Sequence, residues 1–146
     1  MHTRKATIHD VELITALRIT FLQLFEDRRI DRKIIKQYFT EHIPIEKCTF
    51  LLTYDQDQIV GTGAIHYYQA IPSNRCPTGW IGHITNIWVN PDYRGKQIAK
   101  NILDQLIEDA QGKCDQIQLS SSADGNRLYE RYGFKKKEDV YIWTMI

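Results

Sequence analysis

Apolar residues recur along this chain first at helical and then at strand spacing. Val11, Ile14, Leu17, Phe21 and Leu24 lie three and four positions apart behind Asp10, which predicts a capped amphipathic helix after a short strand at about residues 3 to 8. The charged stretch EDRRID interrupts this pattern, a second helix is predicted near residues 32 to 42, and Pro44 stops it. Two runs rich in branched and aromatic residues follow: FLLTY at 50 to 54, the turn DQDQ, then IVGTGAIHYY at 59 to 68, a hairpin pattern. QAIPSNRCPTG reads as a loop, and WIGHITNIWV as a strand stopped by Asn90-Pro91.

The second half returns to helical period. Ile98, Ile102, Leu103, Leu106 and Ile107 form an apolar stripe over a helix predicted from about 95 to 110, with Gly112 beyond its end. IQLSS at 117 to 121 reads as a strand, GNRLYERY as a short helix closing at Gly133, and FKKKEDVYIWTMI as one or two further strands. No repeat or low-complexity segment breaks the order β α α β β β α β α β β. The pattern describes one domain over residues 1 to 146, an α/β fold in which helices flank a mixed sheet.

Composition narrows the chemistry. At 146 residues, one core burying about two thirds of the unfolded surface is the default. Nineteen Lys and Arg against eighteen Asp and Glu leave a net charge of +1, so no global field draws the chain to nucleic acid or to an anionic membrane. Cys48, Cys76 and Cys114 form no CxxC pair and have no histidine at zinc spacing, so no metal site is expected and free thiols in a reducing compartment fit best. No stretch approaches the roughly 18 apolar residues of a membrane span. The expectation is a cytoplasmic protein.

Any anion site must therefore be local, and NPDYRGKQIAKNIL, residues 90 to 103, offers one. A strand, a turn and a helix that opens with Arg94-Gly95-Lys96 present unpaired backbone N–H groups at a positive helix end, in the geometry that suits phosphate. There is no GxxxxGK[ST] and no GxGxxG with a distal acidic residue, so neither a P-loop nor a dinucleotide fold is supported.

NIWVNPDYRGKQIAKNIL resembles the acetyl-CoA motif of the GCN5-related N-acetyltransferases (GNAT), and GNRLYERYGF, residues 125 to 134, is similar to that family's LYEKLGF signature. The resemblance covers essentially the whole chain and implies a GNAT-like acyl-CoA fold, with a mostly antiparallel central sheet flanked by helices. Acetyl-CoA is then the cosubstrate and a primary amine the acceptor, with no nucleic-acid or membrane partner; a homodimer is compatible with the family. Arg94 matches the first motif position and Ala99 the last, while Gln97 replaces the central glycine. Backbone groups of Gly95, Lys96, Gln97, Ile98 and Ala99 are implied to hold the pyrophosphate. Those of Ile87, Trp88 and Val89 are implied to pair with the pantetheine arm where the strand splays from its neighbour.

The resemblance also implies chemical roles. Tyr129 falls at the LYE position whose phenol serves the leaving thiolate. Full proton transfer from an ordinary phenol (pKa near 10) to a thiolate (near 8.5) is uphill by about 2 kcal/mol, so a hydrogen bond that strengthens as charge grows on sulfur is the expected role. Ser122 stands where relatives carry an Asn that bonds pantetheine, and Asn126 lies nearby. A primary alkylamine is deprotonated in only about one molecule in 1,000 at pH 7, which calls for a base. His83 is the candidate, sharing a strand face with Thr85; relatives that acetylate arylalkylamines carry a proposed base histidine at the equivalent distance before the motif arginine. Asn86 is a weaker candidate whose face depends on whether the strand bulges. The expected reaction is direct attack of a small-molecule amine. The alternatives are a protein or peptide N-acetyltransferase and a noncatalytic CoA-responsive binding protein.

Overall fold

The computed structural model describes residues 1–25, 29–121, 125–137 and 139–146. Strand β1 (His2–Lys5) gives way to a 3-10 turn, Ile8–Asp10, before helix α1 (Val11–Gln23). Asp10 is not the side-chain cap of α1 that its position suggests. Its carboxylate accepts the Thr7 N–H at 2.7 Å and two bonds from Arg4 at 2.8 and 2.9 Å, so Thr7 caps the short turn and the strand ends at Lys5 rather than at residue 8. The bidentate Arg4 contact holds the Asp10 carboxyl down at about 2. Part of the charged break, residues 26–28, lies outside the described residues.

Helix α2 (Arg32–His42) has the predicted bounds and is capped by the Asp31 carboxylate, which accepts the Lys33 N–H. Strands β2 (Cys48–Asp55) and β3 (Gln58–Gln69) form the expected hairpin, each slightly longer than its apolar run, and β4 (Trp80–Val89) occupies WIGHITNIWV. Helix α3 (Ile98–Asp109) starts three residues later than its stripe suggests, because the turn before it is wound in left-handed steps. Strand β5 (Gln116–Leu119) and helix α4 (Asn126–Tyr132) follow, the latter stopped by Gly133 at φ 124°.

The strands lie in sequence order, β1-β2-β3-β4-β5, antiparallel except for β4 and β5. A parallel pair needs a crossover, and α3 is that crossover. Helices α1 and α2 cover one face, where Val11, Ile14, Phe39, Phe50, Leu52 and Ala64 pack. On the other, Ile98, Ile102, Leu103 and Leu106 of α3 meet Leu51, Ile65 and Ile84. Helix α3 comes unusually close to β3: a Cβ on Gly61 would lie 2.7 Å from Ile98 Cγ2, and one on Gly63 only 2.4 Å from Ile102 Cγ2.

The far end of α3 is held by Asp109, whose side chain is 2% exposed. Its carboxylate accepts from Lys5 of β1 at 2.8 Å, Thr49 of β2 at 2.9 Å, Tyr67 of β3 at 2.7 Å and Lys113 at 3.2 Å. Burial alone would push this carboxyl up; the four donors outweigh it and hold it at about 2.

The tail departs from expectation. Among its described residues, 134–137 and 139–146, there is no strand, and Tyr141, Trp143 and Ile146 are 98%, 87% and 97% exposed. Alternation marks a segment that suits a strand, but a strand exists only through a neighbour's hydrogen bonds, and the Lys135–Lys137 run favours solvent over the sheet edge. Among the described residues no helix is long and apolar enough to cross a membrane.

Since the Asp109 carboxyl is depressed in the folded state, its stabilisation is complete above about pH 4 and is lost as pH falls through about 2. Asp109→Asn should cost about 2 kcal/mol near neutrality and flatten the decline of the melting temperature between pH 4 and 2. Equal acid sensitivity of the two proteins would remove the carboxylate from this role.

Candidate functional site

Strand β4 pairs with β5 only from Ile81↔Gln116 to Ile84↔Leu119, although it runs on to Val89. Strand β5 ends at Leu119, so past Ile84 the edge of β4 that faces away from β3 has no strand partner among the described residues. On the β3 side the register slips between Thr62 and Ala64, where Asn86 takes φ 60°. This is a bulge, and it is clamped from both ends: Thr62 Oγ1 donates to the Asn86 carbonyl at 2.8 Å and accepts from Asn86 Nδ2 at 3.2 Å. Asn86 is 1% exposed.

After Val89, the Asn90 side chain accepts the Asp92 N–H and a 3-10 turn, Pro91–Tyr93, leads into Arg94. Gly95 (φ 80°) and Gln97 (φ 61°) are both left-handed. Gln97 is the N-cap of α3 without a side-chain bond to the helix, so it fills the place of the motif glycine by adopting glycine's backbone conformation. Among the described residues, none beyond its two chain neighbours has an atom within 4 Å of a Cβ built on Gly95, so a larger residue there is opposed by backbone strain rather than by crowding.

Val89, Arg94, Gly95, Gln97, Ile98 and Ala99 line one side of a cavity of ≈ 580 Å³. Tyr93 and Lys100 complete that side, and Leu128, Arg131 and Tyr132 of α4 form the wall opposite. Lys96 instead lines a second cavity, ≈ 350 Å³, beside Met1, His2 and Thr3. Ile87 packs toward Gly63, its Cδ1 2.9 Å from a Cβ built there, and Trp88 pairs with Thr62. Asn126 opens α4, and Ser122 lies outside the described residues.

Tyr129 packs into the α3-side core with its ring 6.2 Å from that of Phe134, and burial pushes its phenol up. Gly125 makes room for it: a Cβ there would lie 2.9 Å from Tyr129 Cε2. Tyr132 lines the cavity and donates to Asp104 Oδ1 at 2.5 Å. Burial and that carboxylate raise its phenol to about 12.

His83 lies on the other face of the sheet, toward α1 and α2. It is directly opposite His66 across β3 and β4, with ring centroids 5.1 Å apart. Tyr38 of α2 meets His66 edge-on at 6.4 Å and stacks on His42 at 4.0 Å. Arg18 of α1 donates to Thr85 Oγ1 at 2.9 Å and to Asn86 Oδ1 at 3.4 Å, so the bulge brings Asn86 to the same cation as Thr85. Burial, then His83, Arg18 and His42, bring the His66 imidazole down to about 4; burial and Arg18 also lower His83. Both histidines are therefore neutral at pH 7.

Arg18, His66 and the α4 wall are what sequence reasoning missed. Leu128, Arg131 and Tyr132 share a helix face at i, i+3, i+4, a signal that was available. Arg18 is the one cation within the stripe Ile14, Leu17, Arg18, Phe21, and a charge on a buried face is itself a flag. The pairing of His66 with His83 was not accessible, because a loop of irregular length joins their strands. Among the described residues no group of three or more His, Cys, Asp or Glu is arranged to hold a metal ion.

Comparison with known proteins gives a consistent picture. A family model described as acetyltransferase (GNAT) domain matches residues 46–136. The glucosamine 6-phosphate N-acetyltransferase of Arabidopsis thaliana is 27% identical over 144 residues, covering 92% of this chain and 89% of that protein. Glucosamine 6-phosphate N-acetyltransferase 1 of Dictyostelium discoideum is 30% identical over 115 residues, covering 73% and 71%. The crystal structure of a predicted acetyltransferase with acetyl-CoA from Clostridium acetobutylicum superposes with a TM-score of 0.87 at 27% identity, covering 99% of this chain and 96% of that one.

The turn geometry separates two kinds of substitution. Gln97→Gly should hold or raise the melting temperature by a few degrees and leave CoA affinity intact, since it relieves about 1 kcal/mol of left-handed strain. Gly95→Val should weaken CoA through the backbone, and Arg94→Ala should weaken it while lessening its salt dependence. Calorimetric titration of CoA into folded variants measures all three. A tenfold loss in Gln97→Gly would mean that the glutamine side chain itself binds.

Proposed function

The chain belongs to the GNAT acetyltransferase family, and from that premise we propose that it transfers the acetyl group of acetyl-CoA to the primary amine of a small molecule by direct attack. The observation that carries this reading is the stretch of β4 beyond Ile84 that has no partner in β5, beside a cavity lined by the motif turn and α4. The residues present fit the cosubstrate. Backbone N–H groups from Gly95 to Ala99, with Arg94, would hold the diphosphate, and the edge of β4 from Ile87 to Val89 would pair with the amide-bearing arm. Bound acetyl-CoA supplies an activated acyl group and a thiolate leaving group.

The protein's own groups then have three tasks. The bulge at Asn86 breaks the ladder and frees backbone groups of β4 to orient a carbonyl. His83, neutral at working pH, accepts the amine proton as the new C–N bond forms. Tyr129, its proton retained because burial raises the phenol, donates a hydrogen bond to sulfur as the C–S bond breaks. The small-molecule reading is supported by the two glucosamine 6-phosphate N-acetyltransferases that match most of this chain. It is further supported by the cluster of half-buried rings of Tyr38, His66 and His83, which suits a compact acceptor.

Product formation with a panel of small amines and peptide N-termini tests the reaction. Preference for a peptide amine would overturn the small-molecule assignment. Tyr129→Phe keeps the ring packing and should slow single-turnover transfer on the order of 10- to 1,000-fold with CoA affinity unchanged. His83→Gln should slow the chemical step most at low pH. Because the folded-state imidazole is depressed below 6.5, its basic form is present above that value and is lost as pH falls. The defect should narrow toward the amine pKa, where solution supplies free amine; a loss independent of pH from 6 to 9.5 would assign His83 a packing role instead.

A further inference from the structure

Residues 139–146 read DVYIWTMI, and their side chains are exposed almost throughout. Val140, Tyr141, Ile142, Trp143, Met145 and Ile146 lie between 79% and 98% exposed, whereas Phe134, just after α4, packs on the α3-side core. Scattered exposed apolar side chains are ordinary; an unbroken run of this kind, interrupted only by Thr144, marks an interaction segment. Alternation along an extended segment puts Tyr141, Trp143 and Met145 on one side and Val140, Ile142 and Ile146 on the other. Both sides are then apolar, as in a strand covered on both faces. We infer that this segment is exchanged between two copies of the chain, each tail adding a strand to the outer edge of β5 in the other copy.

The two outer edges of the sheet differ in what they offer such a strand. Strand β1 carries Arg4 and Lys5, bonded to Asp10 and Asp109, and charges along an edge oppose pairing with another chain. Strand β5 reads QIQL, has no charge, and on the side away from β4 has no strand partner among the described residues. Beside it, where α3 ends, is a hollow of ≈ 260 Å³ to which Ile107, Ala110, Cys114 and Ile117 give apolar walls. An added strand would turn one row of its side chains toward that hollow. The chain's own tail does not fill it, since its apolar side chains remain exposed. A second copy brings an identical tail and an identical edge, so one two-fold pairing satisfies both and closes. Each tail holds a tyrosine and a tryptophan, which bury about 150–250 Å² apiece, and four further apolar side chains; two such tails reach the roughly 1,200–2,000 Å² of a stable interface.

The test is physical and does not depend on acetyl transfer, so failure of that reading would leave it intact. Light scattering on the unaltered protein at micromolar concentration should give twice the chain mass of 17.2 kDa. Trp143→Lys changes a side chain that its own chain leaves exposed, so it should keep the far-UV circular dichroism spectrum while weakening the pair by about 10-fold or more. The place of contact is read from a double variant, Gln118→Cys with Thr144→Cys, treated with a short bis-maleimide. A denaturing gel should show two chains joined, and only when both cysteines are present. A particle of single-chain mass in the unaltered protein would overturn the inference, as would a pair that withstands Trp143→Lys. So would a cross-link closed within one chain, which would mean that the tail returns to its own β5, or a pair in which positions 118 and 144 do not join at all.

Discussion

The contact on which most of this molecule depends is that between helix α3 and two residues of β3 that have no side chain. With hydrogen in place of a methyl group at Gly61 and Gly63, Ile98 and Ile102 settle against the strand itself. Ile98 is also the first residue of the helix. Core packing and the motif turn thus share an atom-level contact, and the turn cannot rise or slide without opening a gap under the helix. Asp109 performs the corresponding task at the other end, drawing lysines, a threonine and a tyrosine from three strands and the following loop onto one carboxylate. A helix fixed at both ends gives the turn a rigid base, which backbone recognition of phosphate requires.

The bulge in β4 divides labour between the two faces of the sheet. One face, with α3 and α4, holds the motif turn, its cavity and Tyr129. The other, with α1 and α2, holds Arg18, His66 and His83. Thr62 is the joint: one hydroxyl both donates to and accepts from Asn86, so the strained φ is sustained by bonds that would otherwise be left unmade in a buried place. The two groups of residues lie on opposite faces of one sheet, and the stretch of β4 beyond Ile84 that has no partner in β5 is where they come nearest to a common space.

Much of this was legible from residue order. The helical and strand periods give every described strand and α-helix up to Tyr132 but not the two 3-10 turns, and the motif residues Val89, Arg94, Gly95, Gln97, Ile98 and Ala99 meet around one cavity. The errors fall where a local pattern competes with a distant partner. Asp10 looks like a helix cap but is claimed by Arg4, and the helix expected from about residue 95 is delayed to Ile98 by left-handed backbone at Gly95 and Gln97. The tail alternates as a strand should, yet its described residues join no ladder. His66 escaped notice because cross-strand register is set by the whole sheet, not by the segment that contains it.

The cysteines have a practical consequence. Cys48 and Cys76 are buried and Cys114 half-buried, and burial pushes each thiol up, that of Cys48 to about 12. The nucleophile toward a disulfide dye is the thiolate, so side chains kept protonated at neutral pH react slowly. A freed coenzyme, with an unhindered thiol near pKa 8.5, reacts fast by comparison. In a colorimetric assay of released thiol, the protein's own sulfur atoms should therefore contribute a slow drift rather than an initial jump.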